Sequence, residues 1–229
     1  DIEVLDINQR LTNINDIFDV TSKPLIIDID TGGKIEHLEI NLKTLERSGV
    51  SAVIMEDKKG LKKNSLFGNE VKQEQDEEKN FSYKIELAKK AQNTEDFMLI
   101  ARIESLILQK GLKDAISRAK SYISAGADAI LIHSRSKDPG EVFEFSKMYK
   151  SFGSNHPLFC VPSSYSSVKE TNLIKHGFKG VIYANQLIRA AYPAMEKTAT
   201  QILKYQRAQE AENNLMSIKE ILNLIPGTK

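Results

Sequence analysis

The chain has 229 residues, 41% of them hydrophobic and 28% charged, with a net charge of +1. That is enough for one α/β domain with a sizeable core, and so even a charge balance gives no reason to expect a nucleic acid or a membrane surface as partner. The single cysteine, Cys160, excludes an internal disulfide and suits a reducing, cytoplasmic setting, and no apolar run approaches the length of a membrane span.

The chain opens at Asp1 without a methionine and runs straight into polar sequence, with no signal peptide in view, so residues are expected upstream. Ile14 to Val20 closes a helix begun by the preceding residues. After Pro24, Leu25-Ile26-Ile27 reads as a buried strand ending in Asp28-Ile29-Asp30, and Thr31-Gly32-Gly33 as a turn. Ile35, Leu38, Leu42 and Leu45 recur at helical spacing before Gly49. Ala52 to Met55 is a buried strand ending in Glu56, and residues 57 to 79 form a long polar loop of the kind that serves as a lid or binding loop, or is disordered. Phe81, Ile85 and Ala88 mark a helix face. Phe97 to Ala101 is a strand ending in Arg102 and Glu104; Leu112 to Ile123 is a helix stopped by Gly126. Ala129 to Ile132 is a strand ending in His133. Asp138 as N-cap and Pro139 at the first position start a helix carrying Val142, Phe145 and Tyr149. Leu158 to Val161 is a strand closed by Pro162 and Ser163. A helix ends at Gly177, Gly180 to Ala184 is the last strand, ending in Asn185, and two helices follow, about 186–212 and 215–224.

Strands alternating with helices imply a parallel sheet. Six strands suit an open doubly wound sheet, or a (β/α)8 barrel with two strands upstream. Either way, each strand delivers a polar residue to the same end, where parallel βα folds carry their chemistry.

The stretch from Glu56 to Ser65 concentrates that chemistry. Read singly, its four lysines are an ordinary solvated charge run. A carboxylate closing a buried strand, however, needs a partner. Asp28, Asp30 and Glu56 make a candidate Mg²⁺ site of hard oxygen donors without Cys or His; salt bridges to the nearby lysines are the alternative. Arg102 can fork onto a carboxylate or a phosphonate. A lone strand-end histidine is most often structural, but His133 shares the rim with Arg102. Cys160 reads as a small core hydrophobe. No glycine-rich nucleotide motif is present.

Taken together, Asp28-x-Asp30-Thr31-Gly32, Glu56-Asp57-Lys58, Lys62-x-Asn64-Ser65, Ala101-Arg102-x-Glu104, Ala125-Gly126-Ala127-Asp128-Ala129-Ile130 with His133-Ser134, Ala184-Asn185 and Ala194-Met195-x-Lys197-Thr198-Ala199 resemble the phosphoenolpyruvate mutase family, within the isocitrate lyase and phosphoenolpyruvate mutase superfamily. The resemblance implies a (β/α)8 barrel of the TIM type with its first strands missing from this chain. Residues 1–229 would be one such domain, whose C-terminal helices, 186–229, are exchanged with a neighbouring subunit in a homodimer or homotetramer. It implies Mg²⁺ on Asp28, assisted through water by Asp30 and Glu56. Arg102 and His133 would hold phosphoenolpyruvate or phosphonopyruvate, and Lys62, Asn64 and Ser65 would close over the phosphoryl group. The family's essential aspartate falls on Asp1, as nucleophile or charge partner. Lyases of the superfamily carry Lys-Lys-Cys-Gly-His in the gating loop; Asn64 stands at that cysteine, which argues against carbon–carbon lyase activity. The sequence departs from the family at Gly32-Gly33-Lys34, where Gly-Tyr-Gly is usual. A hydrolase releasing phosphate from phosphonopyruvate, and a barrel that binds without catalysis, are the alternatives.

Overall fold

The computed structural model describes residues 5–153 and 155–224. Asp6 and Gln9 close a capping box over the head of α1 (Ile7–Phe18). There follow β1 (Ile26–Asp28), α2 (Ile35–Arg47), β2 (Ala52–Glu56), α3 (Glu78–Ala91), β3 (Met98–Ile103), α4 (Gly111–Ser124), β4 (Ala129–Ile132), α5 (Gly140–Ser151), β5 (Leu158–Cys160), α6 (Glu170–Lys175) and β6 (Gly180–Val181). Gly49, Gly126 and Gly177, expected as helix stops, all take left-handed φ values of +91°, +107° and +94°.

The strands form one all-parallel sheet in the order β1-β2-β3-β4-β5-β6. A doubly wound sheet reverses its strand order at a switch point; this one never does. Among the described residues it is the arc of a barrel, a half-barrel of six strands rather than the eight of a closed one. The pleat sorts each strand between two cores. Val53, Met55, Leu99, Ala101, Ile103, Ile130, Ile132 and Cys160 belong to the large core that includes the buried faces of the helices, which confirms Cys160 as a core hydrophobe. Ala52, Ile54, Ile100, Ala129, Leu131 and Val161 form a small cluster on the opposite, inner face. Two-residue periodicity therefore puts Glu56, Arg102 and His133 on that inner face at the strand ends.

Four expectations need correction. β1 lies at the sheet edge and is only half covered, with Ile26 40% exposed, so it is not a buried strand. The stretch after Glu56 is a loop as read, but it is not simply solvated, since Lys58 and Lys62 are buried. It leaves and returns as a short antiparallel pairing of Lys58 with Gln75, and residues Ser65–Glu70 form a 3-10 segment capped by Asn64. α5 starts one residue later than read: Pro139 is its cap, while the Asp138 carboxylate still takes the Gly140 N–H at 2.9 Å. Finally, the helix from Gln186 ends at Tyr205, because Gln206 turns left-handed at φ 53°, and the last helix begins at Ile218 behind the Ser217–Glu220 capping box.

The chain divides into two compact units, the second beginning at Tyr183. That second unit carries Asn185, α7 (Gln186–Tyr205) and α8 (Ile218–Leu222), with Lys197 Nζ donating to Asn214 Oδ1 at 2.9 Å. No residue of α7 is buried.

Candidate active site

Adjacent strands bring the charges together. Glu56 and Arg102 are register partners at the ends of β2 and β3, and Asp28 ends the neighbouring β1. Arg102 Nη2 lies 3.6 Å from Glu56 Oε2, and its Nη1 3.7 Å from Asp28 Oδ2. Asp30 follows in a left-handed turn (φ 57°), its N–H bonded to Asp28 Oδ1 at 2.8 Å. Gly32 completes the turn beneath Met55, where a Cβ would stand 2.5 Å from Met55 Sδ.

Lys62 reaches back from the loop into this group. Its ammonium sits 2.7 Å from Asp28 Oδ2, 3.0 Å from Asp30 Oδ1 and 3.9 Å from Glu56 Oε2, and the residue is 4% exposed. The three carboxylates read as a metal site thus converge, on a lysine nitrogen. Among the described residues, no cluster of three or more His, Cys, Asp or Glu side chains is arranged to hold a metal ion. Burial raises the Asp28 pKa, but Lys62 and Arg102 outweigh it and bring the carboxyl below its usual range. Glu56 behaves the other way: burial, reinforced by Glu104 and opposed by Arg102, lifts it to about 7, and neither of its oxygens has a hydrogen-bond partner.

A second hub is Glu104, fully buried. It accepts from Arg102 Nε at 2.7 Å and from Ser65 Oγ at 2.5 Å, and lies 3.2 Å from Lys58 Nζ. Ser65 Oγ also receives Lys58 Nζ and Arg102 Nη2, each at 2.8 Å. His133 Nδ1 faces Arg102 Nη2 at 3.0 Å. A guanidinium only donates, so Nδ1 accepts and the proton of neutral His133 resides on Nε2. Burial, with Arg102 beside it, holds the imidazole below its usual pKa despite Glu104. Among the described residues its buried Nε2 has no hydrogen-bond partner, which leaves it a donor for a ligand.

Of the sequence-read site residues, Asp28, Asp30, Glu56, Lys62, Ser65, Arg102 and His133 form one connected cluster. Asn64 borders it as the cap of the 3-10 segment, its Oδ1 accepting the Leu66 N–H at 2.9 Å. Asp1 lies outside the described residues. The sequence reading missed Lys58, buried between Glu56 and Glu104, and Arg10 of α1, which donates to Asp28 O at 2.6 Å and pairs with the Asp30 carboxylate. It also gave Glu104 no role. Lys58 could have been found as the cation that a buried Glu56 and Glu104 demand; no pattern in the sequence marks Arg10. The cluster is balanced, Asp28, Asp30, Glu56 and Glu104 against Arg10, Lys58, Lys62 and Arg102.

The comparisons agree with this geometry. The family profile described as phosphoenolpyruvate phosphomutase matches residues 1–203. A phosphonopyruvate hydrolase of Variovorax sp. is 38% identical over 226 residues, covering 98% of this chain and 77% of that protein. The crystal structure of a phosphoenolpyruvate phosphomutase from Streptomyces platensis subsp. rosaceus superposes with a TM-score of 0.88 at 33% identity, over 97% of this chain and 76% of that one. A phosphonopyruvate hydrolase in complex with oxalate and Mg²⁺ gives a TM-score of 0.83 at 35% identity, over 96% and 75%. The chain belongs to the phosphoenolpyruvate phosphomutase family, and its half-barrel is part of that superfamily's TIM-like fold.

Proposed function

We propose that the protein interconverts phosphoenolpyruvate and 3-phosphonopyruvate. The observation that carries the reading is the loop from Lys58 to Ser65, folded over the strand-end carboxylates and Arg102, with Asn64 where the superfamily's lyases keep a cysteine. In this reaction the enol P–O bond breaks, its electron pair stays on the enolate oxygen, and C3 of the enolate then bonds phosphorus. No proton is gained or lost. The transition state for phosphoryl transfer is loose, so positioning and charge supply most of the catalysis.

The residues divide that work. Arg102 and the His133 Nε2–H hold the substrate's oxygens. Lys62, Asn64 and Ser65 close over the phosphoryl group and keep water from it, as a lid must if the fragment is to recombine at carbon. Asp1 serves as nucleophile or charge partner for the fragment. The residues present offer a divalent cation hard oxygen donors: Glu56 is a buried carboxylate whose two oxygens have ion pairs but no hydrogen bond among the described residues, and a lysine ammonium already stands as a cation among oxygen donors. Asp28 would hold Mg²⁺, with Asp30 and Glu56 assisting through water; the solved hydrolase with oxalate and Mg²⁺ supports the choice. When bound, it supplies charge stabilisation for the enolate oxygen. With that cation bound, its charge would repel the Lys62 ammonium, 2.7 Å from Asp28 Oδ2, and favour its contact with the phosphoryl group instead.

A second reading, phosphonopyruvate hydrolysis, is favoured by the 38% identity to such an enzyme. There water takes the phosphorus and C3 of the enolate takes a proton. Phosphorus NMR on phosphonopyruvate with Mg²⁺ decides: phosphoenolpyruvate as product supports the mutase, inorganic phosphate the hydrolase, and an unchanged spectrum a barrel that only binds.

For the assembly, we propose a cytoplasmic homodimer or homotetramer in which residues 186–224 pack on a neighbouring subunit. The support is the apolar surface of that segment, with Leu187 88% and Leu203 79% exposed. Among the described residues no helix is long and apolar enough to cross a membrane.

A further inference from the structure

β2 is followed by a second carboxylate that faces the other way. Glu56 lies on the inner side; Asp57, next on the pleat, meets the helices and is fully buried. Its Oδ1 accepts the Glu104 N–H at 2.9 Å. Its Oδ2 accepts Tyr122 Oη at 2.7 Å, Gln75 Nε2 at 2.8 Å and Arg118 Nη1 at 3.2 Å. Arg118 also donates from Nη1 to Tyr122 Oη at 2.8 Å and from Nε to Asp114 at 3.0 Å. None of these side chains has a part in the chemistry proposed above.

The four bonds to Asp57 join separate pieces of the site. Glu104 lies two residues beyond Arg102 and holds its guanidinium. Gln75 is in the returning arm of the loop, next to Asp76, whose N–H bonds Asp57 O at 2.8 Å. Arg118 and Tyr122 are one turn apart on α4. One helix therefore ties together the ends of β2 and β3 and the root of the loop. Strand ends fray when nothing holds them, and a displacement of about 1 Å at a reacting group can cost on the order of a hundredfold in rate.

We propose that Arg118 and Tyr122 are positioning residues. Acting through Asp57, they fix Arg102 and Glu56 relative to each other and anchor the loop that carries Lys62, Asn64 and Ser65. Only the kinetic consequence rests on the phosphoryl-transfer reading; the mechanical one does not.

The test uses hydrogen exchange and turnover on the full chain, for the parent, Tyr122→Phe, Arg118→Lys and Arg118→Ala. Peptides spanning 57–76 and 101–106 are expected to exchange about tenfold faster in Tyr122→Phe and Arg118→Ala, and 158–182 at the parent rate. Turnover of phosphonopyruvate, followed by phosphorus NMR whichever product forms, is expected to fall roughly tenfold to a hundredfold in kcat. Arg118→Lys should recover most of it, since an ammonium still donates to Asp57. Should Arg118→Ala fail to fold, Tyr122→Phe, which deletes one hydroxyl, carries the test alone. Parent-like exchange at 57–76 and 101–106 in Tyr122→Phe would overturn the proposal, as would an equal loosening of the whole sheet. A parent enzyme inert toward phosphonopyruvate would overturn the reaction instead, and the exchange data would still decide the clamp.

Discussion

Residues 56–65 and residues 186–224 invert the usual relation between polarity and burial. The first stretch holds four lysines, yet Lys58 is 2% and Lys62 4% exposed. The second has apolar residues at helical spacing, yet no residue of α7 is buried. Hydropathy describes what a side chain prefers; the partners within reach decide what it gets. Lys58 is buried because Glu56, Glu104, Ser65 and the Lys63 carbonyl surround it, which offsets the cost of taking a charge out of water.

The sharpest break in the charged region is Asp28→Asn, expected to reduce Mg²⁺-dependent turnover to background while thermal unfolding stays cooperative. Full turnover would mean that the carboxylates serve only Lys62 and Arg102. Next in size is Glu104→Leu, which strands Lys58 and Arg102 without their shared counter-charge. Urea unfolding should show a loss of about 3–5 kcal/mol. Its counterpart in the apolar region, Leu203→Asp, should alter the stability of the separated chain by no more than about 0.5 kcal/mol and yet lower the sedimenting mass at micromolar concentration. An unchanged mass would remove the case for subunit contact at that helix.

Asn64→Ala should retain the fold and lose on the order of a hundredfold in rate, as deletion of a transition-state donor does. Isomerisation at the parent rate would leave Asn64 as a cap of the 3-10 segment and nothing more. The smallest effect is expected from Lys62→Met read by calorimetry: Mg²⁺ should bind about tenfold more tightly, because the tethered ammonium no longer competes for Asp28 and Asp30 at a coupling of about 1.4 kcal/mol. Weaker binding would show that Lys62 helps to assemble the cation site.

Much of the fold was legible. Helix stops at Gly49, Gly126 and Gly177 and strand runs of Val, Ile and Leu are local signals, fixed by backbone sterics and side-chain shape, and they located the first five strands to within two residues; the sixth, read as Gly180 to Ala184, ends at Val181. Local signals failed where distant residues intervene. β1 reads as buried because Leu25, Ile26 and Ile27 are apolar, but burial of a strand depends on what lies on both sides, and among the described residues β1 has a neighbour on one side only. The long loop reads as wet because no period organises it; its order comes from Asp57, Gln75 and Arg118, which are up to 61 positions apart.

The sequence by itself determined that Asp28, Glu56, Arg102 and His133 stand at the same end of successive strands; which face they share came from the sorting of the strands between two cores. It also carried the family, since the motif residues and their spacing are local text. Only the tertiary structure decided that the Lys62 ammonium stands among Asp28, Asp30 and Glu56, that His133 presents its Nε2–H, and that Arg10 and Arg118 support the carboxylates from two different helices. Those facts depend on distances across the chain, and electrostatic energies in a buried site follow distance and desolvation rather than residue order.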